Sequence, residues 1–502
     1  MAIDRKARWI KGLSVLAFAA VTAQASGAWA GTAPESSPGT AIAIMQASAA
    51  LQASDCAAAK APLNLLWNDP YLDNSDPKLA AQYRGSLIAC VASTDGLKAA
   101  ISLSADNIKR PGAEVSAYDL HVFLLLLDQQ VPAAVSALND SLVKFPDSAG
   151  DLSDMSVLGV LLQIRGSDPA QGLVLLDHLE EAHWQPHNPS ARPLMGFVRL
   201  DGLRVALAAG DAAHTALYRA DIARDSLVYA VSQGDGELSD GTAAAMDVRP
   251  VMNGEVRQAQ AYVAGSPTEL TVLSYLMMLE RANDQGDLAL VQLNGIMDLV
   301  DKYGIEKFQN LESFPNLLSV RIALLGEQGR NLDAEKAYAD AMTRLTPLGM
   351  VDVNLAYMGY LTDRGSEVAA LAVESKLDGV ELSAEQQAEL AAVKACAYAY
   401  MGDEPHYAQA MASLNGQVML QVKPALCAGD VDGAAMSLVA AINDPGSRLD
   451  VVAFMQNGLP AIAYSERERA YVDRLAALKA RPDVVAAAQA AQITIRSWPL
   501  RF

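Results

Sequence analysis

Ser141 and Lys144 stand in the order S-x-x-K, a spacing at which a lysine can activate a serine as a nucleophile. The S-D-N and K-T-G companions of that chemistry are missing, and Ser141 falls where helical periodicity places a packing residue. His178, Glu180, Glu181, His183 and His187 lie within ten residues and carry the donor atoms that zinc prefers. Their spacing is poor for it. His178 and His183 are nearly half a turn out of phase on a helix, and Pro186 breaks that helix before His187. The cluster reads instead as the solvated end of a helix, with His183 favoured at the negative end of the dipole. Asp151 and Asp154 could supply the paired carboxylates of an all-helical, glycan-acting enzyme, although nothing ranks them above other acidic residues. No G-x-S-x-G, P-loop, G-x-G-x-x-G or H-E-x-x-H motif occurs. No catalytic residue, cofactor or metal is therefore expected.

The remaining reactive side chains are the four cysteines, Cys56, Cys90, Cys396 and Cys427. An even count suits disulfides in an oxidising compartment, with three connectivities open; four buried thiols are the alternative. The helix register favours Cys56 with Cys90. Thr40–Leu51 reads as a first helix, Cys56 opens a second, and Cys90 sits in the last turn of a third over Pro77–Val91. The start of the second and the end of the third lie at one end of the stack, where the Cα atoms can approach disulfide distance. Cys396 with Cys427 is the second expected disulfide, on a weaker argument, because distances to their Gly-Asp turns leave a height mismatch of about 6 Å.

What positions these residues is a chain of 502 residues, 51% hydrophobic and 19% charged, which can bury a large core. With 38 Lys+Arg against 58 Asp+Glu the net charge is −20, which argues against nucleic acid or an anionic lipid surface as partner. Residues 1–30 read as a cleavable signal peptide. Arg5, Lys6, Arg8 and Lys11 precede an apolar run over Gly12–Ala25, and Ala28-Trp29-Ala30 is the cleavage site, so Gly31 starts the exported chain. No later stretch reads as a membrane span. The expected location is the periplasm, and 31–39 reads as a disordered leader.

From Thr40 onward, segments of helical periodicity alternate with short Gly, Asp, Asn or Pro breaks. Four breaks are Gly-Asp: Gly210-Asp211, Gly286-Asp287, Gly402-Asp403 and Gly429-Asp430. There Gly can end one helix in a left-handed conformation and Asp can cap the next. Gln492–Ile495 is the one strand-like piece, and the tail after it is expected to dock Trp498 and Phe502 on the last helices as a cap. Three windows share one pattern of small and apolar residues closed by a proline. The first runs Val122, Leu125, Ala134, Leu138, Ser141, Pro146. The second runs Ile322, Leu325, Gly329, Ala334, Tyr338, Ala341, with Pro347 one place late. The third runs Val422, Ala425, Gly429, Ala434, Leu438, Ala441, with Pro445 one place early.

In these windows the chain resembles the tetratricopeptide-repeat superfamily in a degenerate form, without the family's Trp. The resemblance implies an all-α fold, a right-handed α-solenoid of stacked antiparallel helix hairpins in which stacking supplies the core. The Gly-, Asp- and Pro-containing stretch 233–254 reads as a linker or insertion between an N-terminal array over 40–232 and a C-terminal array over 255–502 with its capping tail. The resemblance also implies a non-enzymatic scaffold that holds a protein or peptide partner in a cell-envelope process such as secretion, envelope assembly or cell-wall regulation. Relatives that grip carboxylate-terminated peptides line their inner face with Lys, Asn and Arg. The equivalent positions here are Ser116, Asp119 and Phe123, then Asn316, Ser319 and Ala323, which make no anion clamp. A groove built from them would suit hydrophobic or basic segments.

Overall fold

A computed structural model describes residues 38–164, 168–239, 247–345, 347–459 and 465–501. The expected signal peptide and cleavage site, nearly all of the expected 31–39 leader and Phe502 lie outside them. The described residues are all-helical, and their only β pairings are isolated bridges. None of their helices is long and apolar enough to cross a membrane. By contacts the chain divides at Gly210–Asp211 into two compact units.

In the first unit, α1 (Pro38–Gln52), α2 (Cys56–Trp67), the short α3 (Pro70–Ser75) and α4 (Pro77–Thr94) share one core. Helix α1 begins inside the expected leader, at Pro38. Asp55, Asp69 and Asp76 each accept hydrogen bonds from backbone amides in the first turn of the next helix, and Pro70 and Pro77 open two of those helices. Then follow α5 (Leu97–Ile108), α6 (Val115–Leu127), α7 (Val131–Lys144), α8 (Asp154–Ile164), α9 (Pro169–Glu181) and α10 (Arg192–Ala209). Helices α4, α6, α8 and α10 pack each on the next, while α5, α7 and α9 each lean on the following member of that row. In α7, Ala134 and Leu138 are fully buried along one face, and Pro146 opens a 3-10 turn beyond it.

The second unit begins with α11 (Ala212–Ile222), α12 (Ser226–Gly234) and α13 (Arg249–Gly265). It continues through α14 (Leu270–Ala282), α15 (Gly286–Tyr303), α16 (Phe314–Glu327), α17 (Asn331–Arg344), α18 (Pro347–Asp363) and α19 (Glu367–Val373). Next come α20 (Ala384–Met401), α21 (Glu404–Ala412), α22 (Val418–Cys427), α23 (Val431–Ile442), α24 (Arg448–Met455), α25 (Glu466–Lys479) and α26 (Pro482–Ala490). Helices α14, α16, α18, α20 and α22 again pack in sequence, and α15, α17 and α19 each touch the next of them. Ala334, Ala341, Ala434, Leu438 and Ala441 have no measurable exposure; Tyr338 is half-buried and stacks on Tyr357 at 3.7 Å. Small residues at these points let neighbouring helices approach closely.

Three of the four Gly-Asp turns have the expected build. Gly210, Gly402 and Gly429 are left-handed, and Asp211, Asp403 and Asp430 accept from first-turn amides. At the fourth, Asp284 takes the left-handed conformation and the helix already opens at Gly286. Gly286 serves close packing instead, since a Cβ there would lie 3.2 Å from Leu324.

The segment expected to link two arrays is built differently. Helix α12 runs through Gly234, Asp235 is fully buried, and α13 covers Arg249–Gly265. Asp235 accepts a 2.6 Å hydrogen bond from Arg448 of α24, which packs on α12. The C-terminal tail closes the same seam. Gly236 donates to the Gln492 carbonyl at 2.7 Å, and Thr494 donates to that of Gly234 at 2.8 Å. Trp498 is buried and donates its indole N–H to Gln456, and Arg501 donates its amide to the Ala282 carbonyl of α14. Contacts in the second unit thus form a closed circuit from α12 through the packed row to α24 and back. The Gln492–Ile495 piece makes a bridge and no ladder, because its partner is a single turn at Gly234–Gly236.

Candidate functional site

The residues with catalytic or metal-binding types are drawn to separate structural partners. Ser141 is buried in the α7 packing face, while Lys144 sits over the Tyr118 ring at 5.3 Å, so no Ser–Lys dyad forms. His178 pairs with Asn139, Glu180 with Arg199, and His183 is an exposed, left-handed residue just past the α9 terminus. His187 bonds the Gly150 carbonyl and Asp154. Among the described residues no group of three or more His, Cys, Asp or Glu side chains could hold a metal ion. Asp151 is exposed, whereas Asp154 accepts from the amides of His187 and Asn188 and so fixes the loop after α9. Those two carboxylates do different work.

The face expected to line a groove in the first window is used for packing. Phe123 is buried. Asp119 accepts from the Ser153 amide and hydroxyl, tying α6 to the start of α8; burial pushes its carboxyl pKa up, against the pull of those hydrogen bonds. Ser116 is exposed. In the second window Asn316 is exposed, while Ser319 and Ala323 are half-buried.

A better candidate lies on the α20–α21 and α22–α23 hairpins. An open groove of about 370 Å³ runs between α21, α22 and α23. It is lined by Tyr407 and Met411 of α21, Val418 and Gln421 of α22, and Met436 and Ser437 of α23, with Asp430 from the turn between α22 and α23. Gln421 is held in place: its amide donates to the Leu414 carbonyl at 2.9 Å, and it accepts from the Ser437 hydroxyl. Desolvation raises the Tyr407 pKa, with the nearby Asp430 charge acting the same way, so the phenol stays a neutral donor and acceptor.

Helix α22 is tied to its neighbours by residues outside the groove lining. Cys396 of α20 and Cys427 of α22 form a disulfide with Cα atoms 5.2 Å apart. Lys423 of α22 pairs with Asp363 at 3.1 Å and lies over the ring of Tyr471 on α25. Cys56 and Cys90 form the other disulfide, at 4.9 Å between Cα atoms, joining the first turn of α2 to the last of α4. The height mismatch anticipated for Cys396 and Cys427 does not keep them apart. Helices α20 and α22 are neighbours in the packed row and are staggered along it, so their turns are not level.

The residues lining the groove include one carboxylate, Asp430, and the hydroxyls of Tyr407 and Ser437. The apolar side chains and adaptable methionines of the lining suit an aliphatic or aromatic side chain, and Asp430 suits a neighbouring cation. The sequence signal for it is Met436, 70% exposed, which stands out of phase with the buried Ala434, Leu438 and Ala441 of the same helix. Compared with protein-family models, curated proteins and solved structures, the chain matches none of them.

Proposed function

We propose that this protein is an exported, tetratricopeptide-like helical scaffold, built as a right-handed α-solenoid, that holds a protein partner in a periplasmic cell-envelope process. The observation that carries the reading is the open groove of α21–α23, lined by Met411, Val418 and Met436 beside Asp430, with α22 held to α20 by a disulfide. The paired-helix register, in which each first helix packs on the next, supports the solenoid assignment. Two cysteine pairs at disulfide distance suit an oxidising compartment.

The ligand this groove fits is a short segment with a large apolar residue next to Lys or Arg. Binding of fluorescent peptides to the full exported chain tests it. A basic amphipathic peptide should bind, and its acidic counterpart of equal length should not. Met436→Lys should weaken binding at least tenfold by placing a cation in the lining, with the fold unchanged because Met436 is exposed. Equal binding of both peptides, or no effect of M436K, would remove the groove as the binding site.

A further inference from the structure

Helix α15 is apolar on two faces. Ala289, Leu293, Met297 and Val300 are buried, with the helix packed on α14 and α16. The opposite side carries Leu288, Val291, Gly295, Leu299 and Tyr303 at successive spacings of three and four, one continuous stripe. All five are exposed, Val291 at 68% and Tyr303 at 53%. Scattered apolar residues on a surface need no explanation, but a helical stripe running the length of the element does. Gly295, at its centre, is equally unexplained by the fold. A mid-helix glycine costs stability, and a Cβ at this position would meet no atom within 4 Å. No contact among the described residues requires a glycine there.

We infer that this stripe is a two-fold contact between two copies of the chain, their α15 helices crossing antiparallel at Gly295. The pattern is self-complementary about that residue. In an antiparallel pair centred on Gly295, Val291 of one copy faces Leu299 of the other, and Leu288 faces the Lys302–Tyr303 turn. Lys302 falls within the stripe and Asp287 off the same side of it. The two-fold axis therefore brings each Asp287, which accepts from Gln328, near the Lys302 of the other copy, which lies over its own Tyr303 ring at 4.8 Å, twice over. An isologous contact demands such self-matching. The glycine lets the two backbones approach where they cross, as small residues do at close helix crossings. This contact uses none of the groove residues, so it stands or falls independently of the proposed ligand.

Sedimentation velocity and disulfide trapping test it on the full exported chain. The wild-type protein should sediment as a dimer at micromolar concentration. Val291→Asp should raise the dissociation constant at least a hundredfold without changing helix content, since Val291 is exposed. Asp287→Lys and Lys302→Asp should each weaken the dimer, and the double exchange should restore it. The native cysteines are all paired, so Gly295→Cys introduces a lone thiol. At the crossing point it should yield a covalent dimer on mild oxidation. A monomeric wild-type protein, or a dimer that ignores V291D and leaves G295C uncrosslinked, would overturn the inference.

Discussion

At the scale of single residues, Glu280 is a buried carboxylic acid with only one of its oxygens satisfied. It has no exposure, its Oε1 accepts from the amides of Gln260 and Gln292, and its Oε2 has no partner among the described residues. Burial holds its carboxyl above the ordinary value of 4.5, with the two amide donors pulling the other way. The sign of the pH effect follows. Below 4.5 the folded and unfolded chains both keep the proton, and Glu280 costs nothing extra. As pH rises past that value the unfolded chain releases the proton while the folded chain retains it, so stability falls until the folded carboxyl ionises. Glu280→Gln removes the titration and keeps the shape. Denaturant unfolding from pH 4 to 8 should therefore show the E280Q variant gaining on the wild type as pH rises; a gap that stays constant would mean that Glu280 does not titrate differently in the fold. Nothing in the sequence marks this residue, because Glu at a core-facing position of α14 differs from a surface Glu only in what packs over it.

At the scale of elements, the disulfides separate what local arithmetic can read from what it cannot. The Cys56–Cys90 pairing was legible because α2 and α4 run antiparallel, with only the short α3 between them, and both cysteines lie near the end they share. The Cys396–Cys427 pairing was expected too, but its geometry was not legible. Cys427 is the last residue of α22, whereas Cys396 lies five residues before the end of α20, a stagger of about 7–8 Å at helical rise. Turn positions give heights within one hairpin; the offset between hairpins is set by side-chain packing across the row, which short-range pattern does not encode. The Gly-Asp turns make the same point, three being legible and the fourth displaced because Asp284, rather than Gly286, took the left-handed position. The hairpins and most of their buried faces were thus readable, while the groove was not, since it depends on the spacing between α21 and α23. The second disulfide bears directly on that spacing. Its loop spans 31 residues, for which chain entropy gives roughly 3–4 kcal/mol. Cys396→Ser with Cys427→Ser should cost about that much in denaturant unfolding, and the peptide affinity of the groove should fall with it. An unchanged unfolding midpoint would show the bridge to be structurally idle.

At the scale of the whole molecule, the described chain is two contact-defined units, and the second is stitched shut by partners far apart in sequence. Arg448 reaches Asp235 across 213 residues, and Arg496 donates to the Gln233 carbonyl across 263. Neither end advertises this. Asp235 sits in a Gly- and Asp-rich stretch with the composition of a linker, and only the folded seam turns it into a buried ion-pair partner. The basic character of the C-terminal segment is the one trace left in sequence: residues 465–501 hold seven Lys or Arg against four Asp or Glu in a chain of net charge −20. Truncation after Ala491 tests how much of the seam this tail holds. It removes the buried Ile493, Trp498 and Leu500, each worth about 1.5–3 kcal/mol as buried apolar surface, and the edge contact of Trp498 with Tyr229 of α12. It also strips the Gly236 amide of its acceptor and leaves Gln456 without the donors from Arg496 and Trp498. The Asp235–Arg448 pair remains, and so does the Ala491 carbonyl that Arg448 also contacts. The seam should therefore loosen without the row of hairpins coming apart. Hydrogen exchange should accelerate at Gly236, in α12 and α24, and at the end of α14 where Arg501 was bound, while α6–α8 of the first unit keep their protection. Unchanged exchange in α12 and α24 would show that the ion pair and helix packing close the unit alone, with the tail only lying over a finished seam.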